Sequence, residues 1–374
     1  MKFKITRLKL LTVLNDVSHG LSFKTPMPVL TGIKIDAYLS SLTFTTSNRE
    51  ISVRVQQEQN EDFEIFEEGS CVVPGKYFID IAKKIDDDVV NFVLFEENTI
   101  KITTEKTDFT LNALNKDAFP AISFEAMGSP IVLKSKVLKQ AIRQTNFAAG
   151  TSEARVILTG TCFEIQDSTL TMTATDSYRL ARKTILLDQE YQHIKINIPS
   201  KSLDELEKIL SDTENEVQIY LISNKALILI GEVSFVTRLI EGNFPNTSSL
   251  FPTDHLVILD VKKSDLISSV DRVSLFTNMD STNIIKVQIK SNKTVQLIST
   301  STEIGKVVED IVPLNQPDID SFQTAFSAKY LLEALKAFDS SVLSISFTGE
   351  VKPFVINSAS EPDITQLILP VRIF

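Results

Sequence analysis

The sequence predicts an α+β protein made of three copies of one domain, each with two helices packed on antiparallel sheets. Two observations carry that reading. At 374 residues the chain is too long for one ordinary core. One β-then-helix pattern also opens three segments: FKITRLKLLTVLNDV at 3–17, IVLKSKVLKQAIRQT at 131–145 and VILDVKKSDLISSVDRV at 257–273.

In the first helix of each copy, Leu10, Leu138 and Leu266 recur at intervals of 128. Apolar residues surround them at helical spacing: Val13, Leu14 and Val17, then Ala141 and Ile142, then Val270 and Val273. Strand-like stretches come next, LTFTTSNREISVRVQ at 42–56, LTMTATDSYRLARKT at 170–184 and VQLISTSTEIGKVVED at 295–310, alternating with period two and rich in β-branched residues. A second helix is predicted in PGKYFIDIAKKI at 74–85, PSKSLDELEKIL at 199–210 and SAKYLLEALKAF at 327–338. Pro74 and Pro199 stand just ahead of it, where a missing N–H costs least. Another strand pair is expected after each second helix, as in EVQIYLISNKALILIGEVSFVTRLI at 216–240. Phe119-Pro120 and Phe244-Pro245 close the first two copies, and Leu369-Pro370 the third. Boundaries within EAMGSP (125–130) and LFPTDH (250–255) give domains 1–127, 128–253 and 254–374. No Gly/Ser linker separates them, so rigidly joined neighbours are expected.

Only Cys71 and Cys162 occur, which implies no disulfide framework and fits a reducing compartment. The N-terminal MKFKITRLKLLTVL reads as folded protein rather than a signal peptide, and no apolar run is long enough for a membrane helix. The formal net charge of −10 argues against a nucleic-acid partner only if it is evenly spread. It is not: the six predicted helices carry sixteen basic and eight acidic residues, a net +8, leaving −18 elsewhere. A basic helix layer on an acidic body can hold a phosphate backbone without sequence preference. Its candidate residues are Lys9, Lys76, Lys136, Lys139, Arg143, Lys201, Lys263 and Lys329.

Catalytic signatures are missing. No GxxxxGK[ST], GxGxxG, HExxH, CxxC or GxSxG occurs. His19, His193 and His255 lack ligand spacing and read as surface or loop residues, and Asp86-Asp87-Asp88 reads as a solvated turn, so no metal is expected. The densest cluster of reactive types, Asp176-Ser177-Tyr178-Arg179, aligns with Asn48-Arg49-Glu50-Ile51 and Ser301-Thr302-Glu303-Ile304. Asp176 is thus expected to cap backbone N–H groups at a repeated strand end. Tyr178, Arg179 and Leu180 have no counterpart in the other copies and have the composition of an interface anchor.

TATDSYRLA (173–181) resembles the T-D-G-H-R-L-A segment of the bacterial sliding clamps, the β subunits of DNA polymerase III. EGNFPNTSSLFP (241–252), ILPVRIF (368–374) and VSHGLSFKTPMPVLTGIKI (17–35) resemble further segments of that family, in order along the whole chain. The resemblance implies a head-to-tail homodimeric ring of clamp-type domains around double-stranded DNA. It implies a cytoplasmic accessory subunit that makes and breaks no bond and needs no cofactor, serving the replicative polymerase, a clamp loader and other proteins with clamp-binding peptides. Their peptides would enter a cleft formed by Leu158, Thr175, Ser177, Tyr178, Arg179, Leu180, Pro245, Leu250, Val351, Leu369, Pro370, Val371, Arg372 and Ile373. Apolar walls with an Arg at the rim suit a peptide holding Leu or Phe and an acidic or Gln residue. Ser177 and Tyr178 replace the family's common Gly and His, and Phe374 extends the tail. Phe109, Leu111, Leu275 and Phe276 match the dimer seam, and Lys24, Lys76 and Lys201 match basic positions near DNA. Val156 and Ile157 stand where some relatives have tyrosines. A repeat-built scaffold that binds peptides but no DNA is the alternative from another class.

Overall fold

The computed structural model describes every residue except 97, 278–282, 302–304 and 373–374. Its six α-helices are α1 (Arg7–Ser18), α2 (Gly75–Lys84), α3 (Ser135–Thr145), α4 (Ser200–Ile209), α5 (Lys263–Ser274) and α6 (Ala328–Lys336). Each stands within two residues of its sequence expectation. α1 buries Leu10, Val13, Leu14 and Val17, the stripe read from the 3.6-residue period, and starts where the Thr6 hydroxyl accepts from Lys9 N. Ser327 caps α6 in the same way by accepting from Tyr330 N.

The chain folds into two compact units, one of Met1–Lys139 with Lys201–Leu239, the other of Gln140–Ser200 with Ile240–Phe374. In the first unit an eight-stranded antiparallel sheet runs Ile131–Lys134, Glu216–Ile222, Lys225–Ile230, Val233–Arg238, Ile51–Glu58, Ser41–Ser47, Gly32–Tyr38, Gly69–Pro74. Where a strand pair was expected at 216–240, three strands form, because Ser223-Asn224 and Gly231-Glu232 each turn the chain, with positive φ at Ser223 and Gly231. The third of them pairs with the first copy, Phe235 facing Val53 and Thr237 facing Ile51. A five-stranded sheet, Phe63–Glu67, Lys2–Thr6, Val89–Phe95, Thr99–Thr103, Asp108–Asn112, completes the unit. Phe3 stacks on Phe92 at 4.8 Å and Phe78 meets Phe92 edge-on at 5.9 Å, fixing α2 on this sheet.

The second unit repeats the plan. A six-stranded sheet runs Gly160–Thr175, Arg179–Pro199, Glu361–Ile368, Phe354–Ser358, Val342–Phe347, Val257–Lys262, and a four-stranded sheet runs Gly305–Ile311, Val295–Ser301, Ile284–Ile289, Phe322–Ser327. The second copy joins the third by strand pairing, Arg179 facing Ile368 and Lys183 facing Ile364. The rigid junctions expected from the missing linkers are therefore continuous hydrogen-bonded sheets. A chain of phenylalanines forms the core between α5, α6 and the strands: Phe322–Phe347 at 5.0 Å, Phe347–Phe354 at 5.1 Å and Phe354–Phe326 at 4.9 Å.

His19 departs from its expected surface position. It lies half-buried past the end of α1, its Nδ1 at 2.7 Å from Glu205 Oε2 on α4. His193 and His255 are exposed as expected.

Phe326 is 1% exposed within this aromatic chain. Phe326→Ala is expected to cost about 3–5 kcal/mol, read as a lower urea midpoint with an unchanged denaturant slope.

Candidate functional site

The Asp176 cluster is a tight strand connection whose bonds run along the backbone. Asp176 Oδ1 accepts from Tyr178 N at 2.9 Å and Arg179 N at 3.0 Å, while the Thr175 hydroxyl accepts from Ser177 N and donates to Arg179 O. In the first copy Asn48 Oδ1 accepts from Glu50 N and Ile51 N, and Ser47 accepts from Arg49 N. Both turns need one left-handed residue, Arg49 at φ +79° and Ser177 at φ +80°. Thr302, Glu303 and Ile304 of the third copy lie outside the described residues. The capping role expected for Asp176 is thus what its carboxylate performs.

Arg179 is enclosed, whereas Arg372 is exposed. Arg179 is 7% exposed and each guanidinium nitrogen has a partner: Nε donates to Asp176 Oδ2 at 3.0 Å, Nη1 to Glu333 and Nη2 to Phe147 O. The same plane lies 4.5 Å from the Tyr330 ring centroid and 5.3 Å from that of Phe147. Burial, followed by the Asp176 carboxylate, raises the Tyr330 phenol. Arg179 therefore fastens the second copy to α6 of the third. A side chain with this reach looks like a ligand-reading cation in the sequence, and only the neighbouring helix shows where it is used.

Around this anchor the expected cleft residues separate into a floor and a rim. Leu180, 2% exposed, packs with Val355 and Leu367, and Phe251 and Leu369 close on them. Leu158 packs with Cys162 and Phe244, and its carbonyl accepts from Gly150 N. A Cβ at Gly150 would meet that carbonyl at 3.3 Å and Asp176 Cα at 3.7 Å, so Leu158 and the Asp176 turn flank one glycine. Thr175 is buried between them in the strand. Tyr178, Leu250 and Val351 are exposed by 64%, 51% and 69%. Ser177, Pro245, Val371 and Arg372 are exposed as well. Ser177 Oγ accepts from Arg155 Nη1 at 3.0 Å. The tail is fixed by its backbone, Leu369 N donating to Tyr178 O and Val371 N to Ala325 O, and Pro370 is half-buried between them. Thr324 donates to Glu350 O, which brings Val351 to the same strand that holds Val371. Ile373 lies outside the described residues. Sequence reasoning missed Phe251, Val355 and Leu367; Phe251 stands inside the quoted EGNFPNTSSLFP segment, whereas the other two carry no signal beyond strand alternation.

The basic candidates divide by partner. Lys9 is paired with Glu232 at 3.2 Å, Lys139 with Asp212 at 3.1 Å, and Lys263 Nζ donates to Phe338 O at 2.7 Å. These three are engaged in local contacts. Lys24, Lys76, Lys136, Lys201 and Lys329 are exposed and form no ion pair among the described residues, and Arg143 is exposed. Phe109 and Leu111 are half-buried on the edge strand Asp108–Asn112. Leu275 is 64% exposed and Phe276 half-buried past the end of α5.

Removing the Arg179 guanidinium strands the half-buried Glu333 and Asp176 carboxylates. Arg179→Ala is expected to cost about 3 kcal/mol, checked by urea unfolding. Ser177→Gly relieves a left-handed residue and is expected to stabilise by about 0.5–1 kcal/mol in the same measurement, net of the lost Arg155 contact.

Comparison with known proteins accords with this arrangement. The chain matches the family models of the DNA polymerase III beta subunit in series: N-terminal domain at residues 1–123, central domain at 132–246 and C-terminal domain at 248–372. It is 39% identical to the beta sliding clamp of Staphylococcus epidermidis over 380 residues and 39% identical to that of Staphylococcus aureus over 378, covering 100% of both chains in each case. Among solved structures, the DNA polymerase sliding clamp of Bacillus subtilis superposes with TM-score 0.94 at 36% identity, over 100% of both chains. The DNA polymerase III beta chain of Streptococcus pneumoniae superposes with TM-score 0.95 at 33% identity, again over 100% of both chains. The tripled α+β domain, the Asp176 turn and the full-length match agree, and the chain belongs to the DNA polymerase III beta subunit family, the sliding clamps, which are non-enzymatic accessory subunits of the polymerase.

Proposed function

We propose that the chain, as three domains 1–127, 128–253 and 254–374, closes with a second copy into a head-to-tail ring around duplex DNA. In the cytoplasm, at the replication fork, the ring tethers the replicative polymerase catalytic subunit, and its peptide cleft also serves the clamp loader and other DNA-processing proteins. The observation that carries this is the order of strand pairing. The last strand of the second copy completes the sheet of the first, and the last strand of the third completes the sheet of the second. Among the described residues one such join is left open at each end: the last strand of the first copy, Asp108–Asn112, pairs only with Thr99–Thr103 and is an edge. Gly305–Ile311 of the third copy likewise pairs, among the described residues, only with Val295–Ser301 and is the matching edge. Open edges invite pairing with another chain, and two unlike edges on one molecule give a head-to-tail contact.

The internal junctions supply the register. Ile51 faces Thr237 and Arg179 faces Ile368, and Thr237 lies 125 residues after Asn112, the interval that separates Phe119 from Phe244. Carried to the open edges, that register sets Phe109 opposite Val307 of the partner subunit, apolar against apolar on one sheet face. α5 packs beside the Gly305–Ile311 edge, its Arg272 forking onto Glu309, which supports a seam bordered by exposed Leu275 and half-buried Phe276. Buried Leu180 and Leu158 beneath exposed Tyr178, Leu250 and Val351 support a cleft for an apolar peptide.

Light scattering is expected to give a dimer for the wild type and monomers for Phe109→Asp and, separately, Val307→Asp. A monomeric wild type at micromolar concentration favours the peptide scaffold. On short duplex DNA, Lys76→Ala with Lys201→Ala is expected to reduce the slope of log affinity against log salt by about 2. Lys9→Ala with Lys139→Ala is expected to leave that slope unchanged.

A further inference from the structure

Arg182 is a half-buried cation with no carboxylate at ion-pair distance among the described residues. Its Nη2 donates to Thr247 Oγ1 at 2.9 Å, its Cζ lies 4.1 Å from the Phe251 ring centroid, and its Nε is buried without a partner. Burial lowers its affinity for the proton, with Glu164 partly opposing. An uncompensated guanidinium in such a place favours an incoming anion.

Space for one is present. A cavity of about 630 Å³ opens between the strands and the segment Phe244–Ser248, and hydroxyls of Thr171, Thr173, Thr184, Thr247 and Ser248 line it around Arg182. Of the two acids on its wall, Glu164 is held by Lys195 at 3.2 Å and His193 at 3.4 Å. Asp167 sits at a register break of the strand, in the left-handed region at φ +55°. Neither forms an ion pair with Arg182 among the described residues.

The cavity continues the peptide cleft. Thr175 faces Leu180 in the ladder, Thr173 faces Arg182 and Thr171 faces Thr184. Residues two apart share a face, so each step is about 7 Å along one surface. Phe251 spans the step, stacked on Arg182 and packed against Leu180. Leu158 and Pro245 of the cleft also meet the cavity, through Leu158's contact with Cys162 and Phe244 and by Pro245 lining it directly.

The first copy has a matched arrangement. Arg54 lies 128 residues before Arg182, faces Thr45, stacks at 4.6 Å on Phe124 and lines a cavity of about 490 Å³. The third copy has Val307, facing Ser299, at the place of Arg182. Stacking the segment after each domain on its sheet accounts for the Arg–Phe pair in both copies. It does not account for the hydroxyl-lined volume beside the cleft, which the second copy alone combines with Leu158, Leu180 and Tyr178.

The geometry points to a second anchor of the partner-binding face: Arg182, with the hydroxyls of Thr173 and Thr247, takes the carboxylate of an acidic residue lying about two positions beyond the apolar anchor of a bound peptide. This rests on the peptide-cleft reading and deepens it. It assigns Arg182, which faces the cavity, the role that the sequence had suggested for an Arg at the rim.

The test uses fluorescence anisotropy with the full chain and labelled peptides Gln-Ala-Leu-Ala-Phe, extended at either end by Ala-Asp or by Ala-Asn. The wild type is expected to bind one of the Asp peptides about tenfold tighter than its Asn match at low salt. Arg182→Gln is expected to erase that preference while leaving Asn-peptide affinity unchanged, and Thr173→Val to reduce it. Arg54→Gln, in the first copy, is expected to keep it. Equal binding of the Asp and Asn peptides by the wild type, or a preference that survives Arg182→Gln, overturns the assignment. Should Arg182→Gln fail to fold, the Thr173→Val result decides. Failure of every peptide to bind the wild type overturns the cleft itself, and the Arg182 anchor with it.

Discussion

Completion of sheet edges by the next copy is the constraint on which the rest of the molecule depends. Val233–Arg238 on Ile51–Glu58 and Glu361–Ile368 on Arg179–Pro199 turn three similar domains into continuous sheets. Backbone hydrogen bonds across a copy boundary admit only one register, because a slip of one residue would turn Leu180 and Leu367 out of their cluster. Rigid junctions, the setting of the proposed cleft at the second of them and two unlike open edges at the ends all result from that rule.

The Asp176 turn shows how one local motif is put to different uses. Asn48 and Asp176 cap the same backbone groups and force the same left-handed residue after them. The residue three positions after the cap differs. In the first copy it is Ile51, 3% exposed and apolar; in the second it is Arg179, whose charge is answered by Asp176 and Glu333 and whose plane is covered by Tyr330. Enclosing an arginine is tolerable here because each guanidinium nitrogen has an acceptor. The cluster that resembles a catalytic site is a structural joint, and the adjacent Leu180 packs into an apolar cluster with Val355 and Leu367.

Surface charge shows a similar division. An acidic chain with basic helices suggests a phosphate-facing layer, yet Lys9, Lys139 and Lys263 are consumed by Glu232, Asp212 and a helix-end carbonyl. Lys24, Lys76, Lys136, Lys201 and Lys329 carry the free positive charge of the expected set. Helical position says which side chains leave the core, but not which of them meets a carboxylate from a distant strand.

The sequence alone determined the threefold repeat, the six helices, the capping role of Asp176 and the family, because each is written in local periodicity, turn chemistry or short segments in order. Leu10, Leu138 and Leu266 fall 128 residues apart whatever the chain does in space. Only the tertiary structure decided that Arg179 is enclosed while Arg182 faces a cavity, that His19 meets Glu205, and that Phe251, Val355 and Leu367 pack around Leu180. Each of those facts joins residues distant in sequence. Pairing a charge or closing a cluster depends on which partner the fold delivers, and a side chain's own type does not specify that partner.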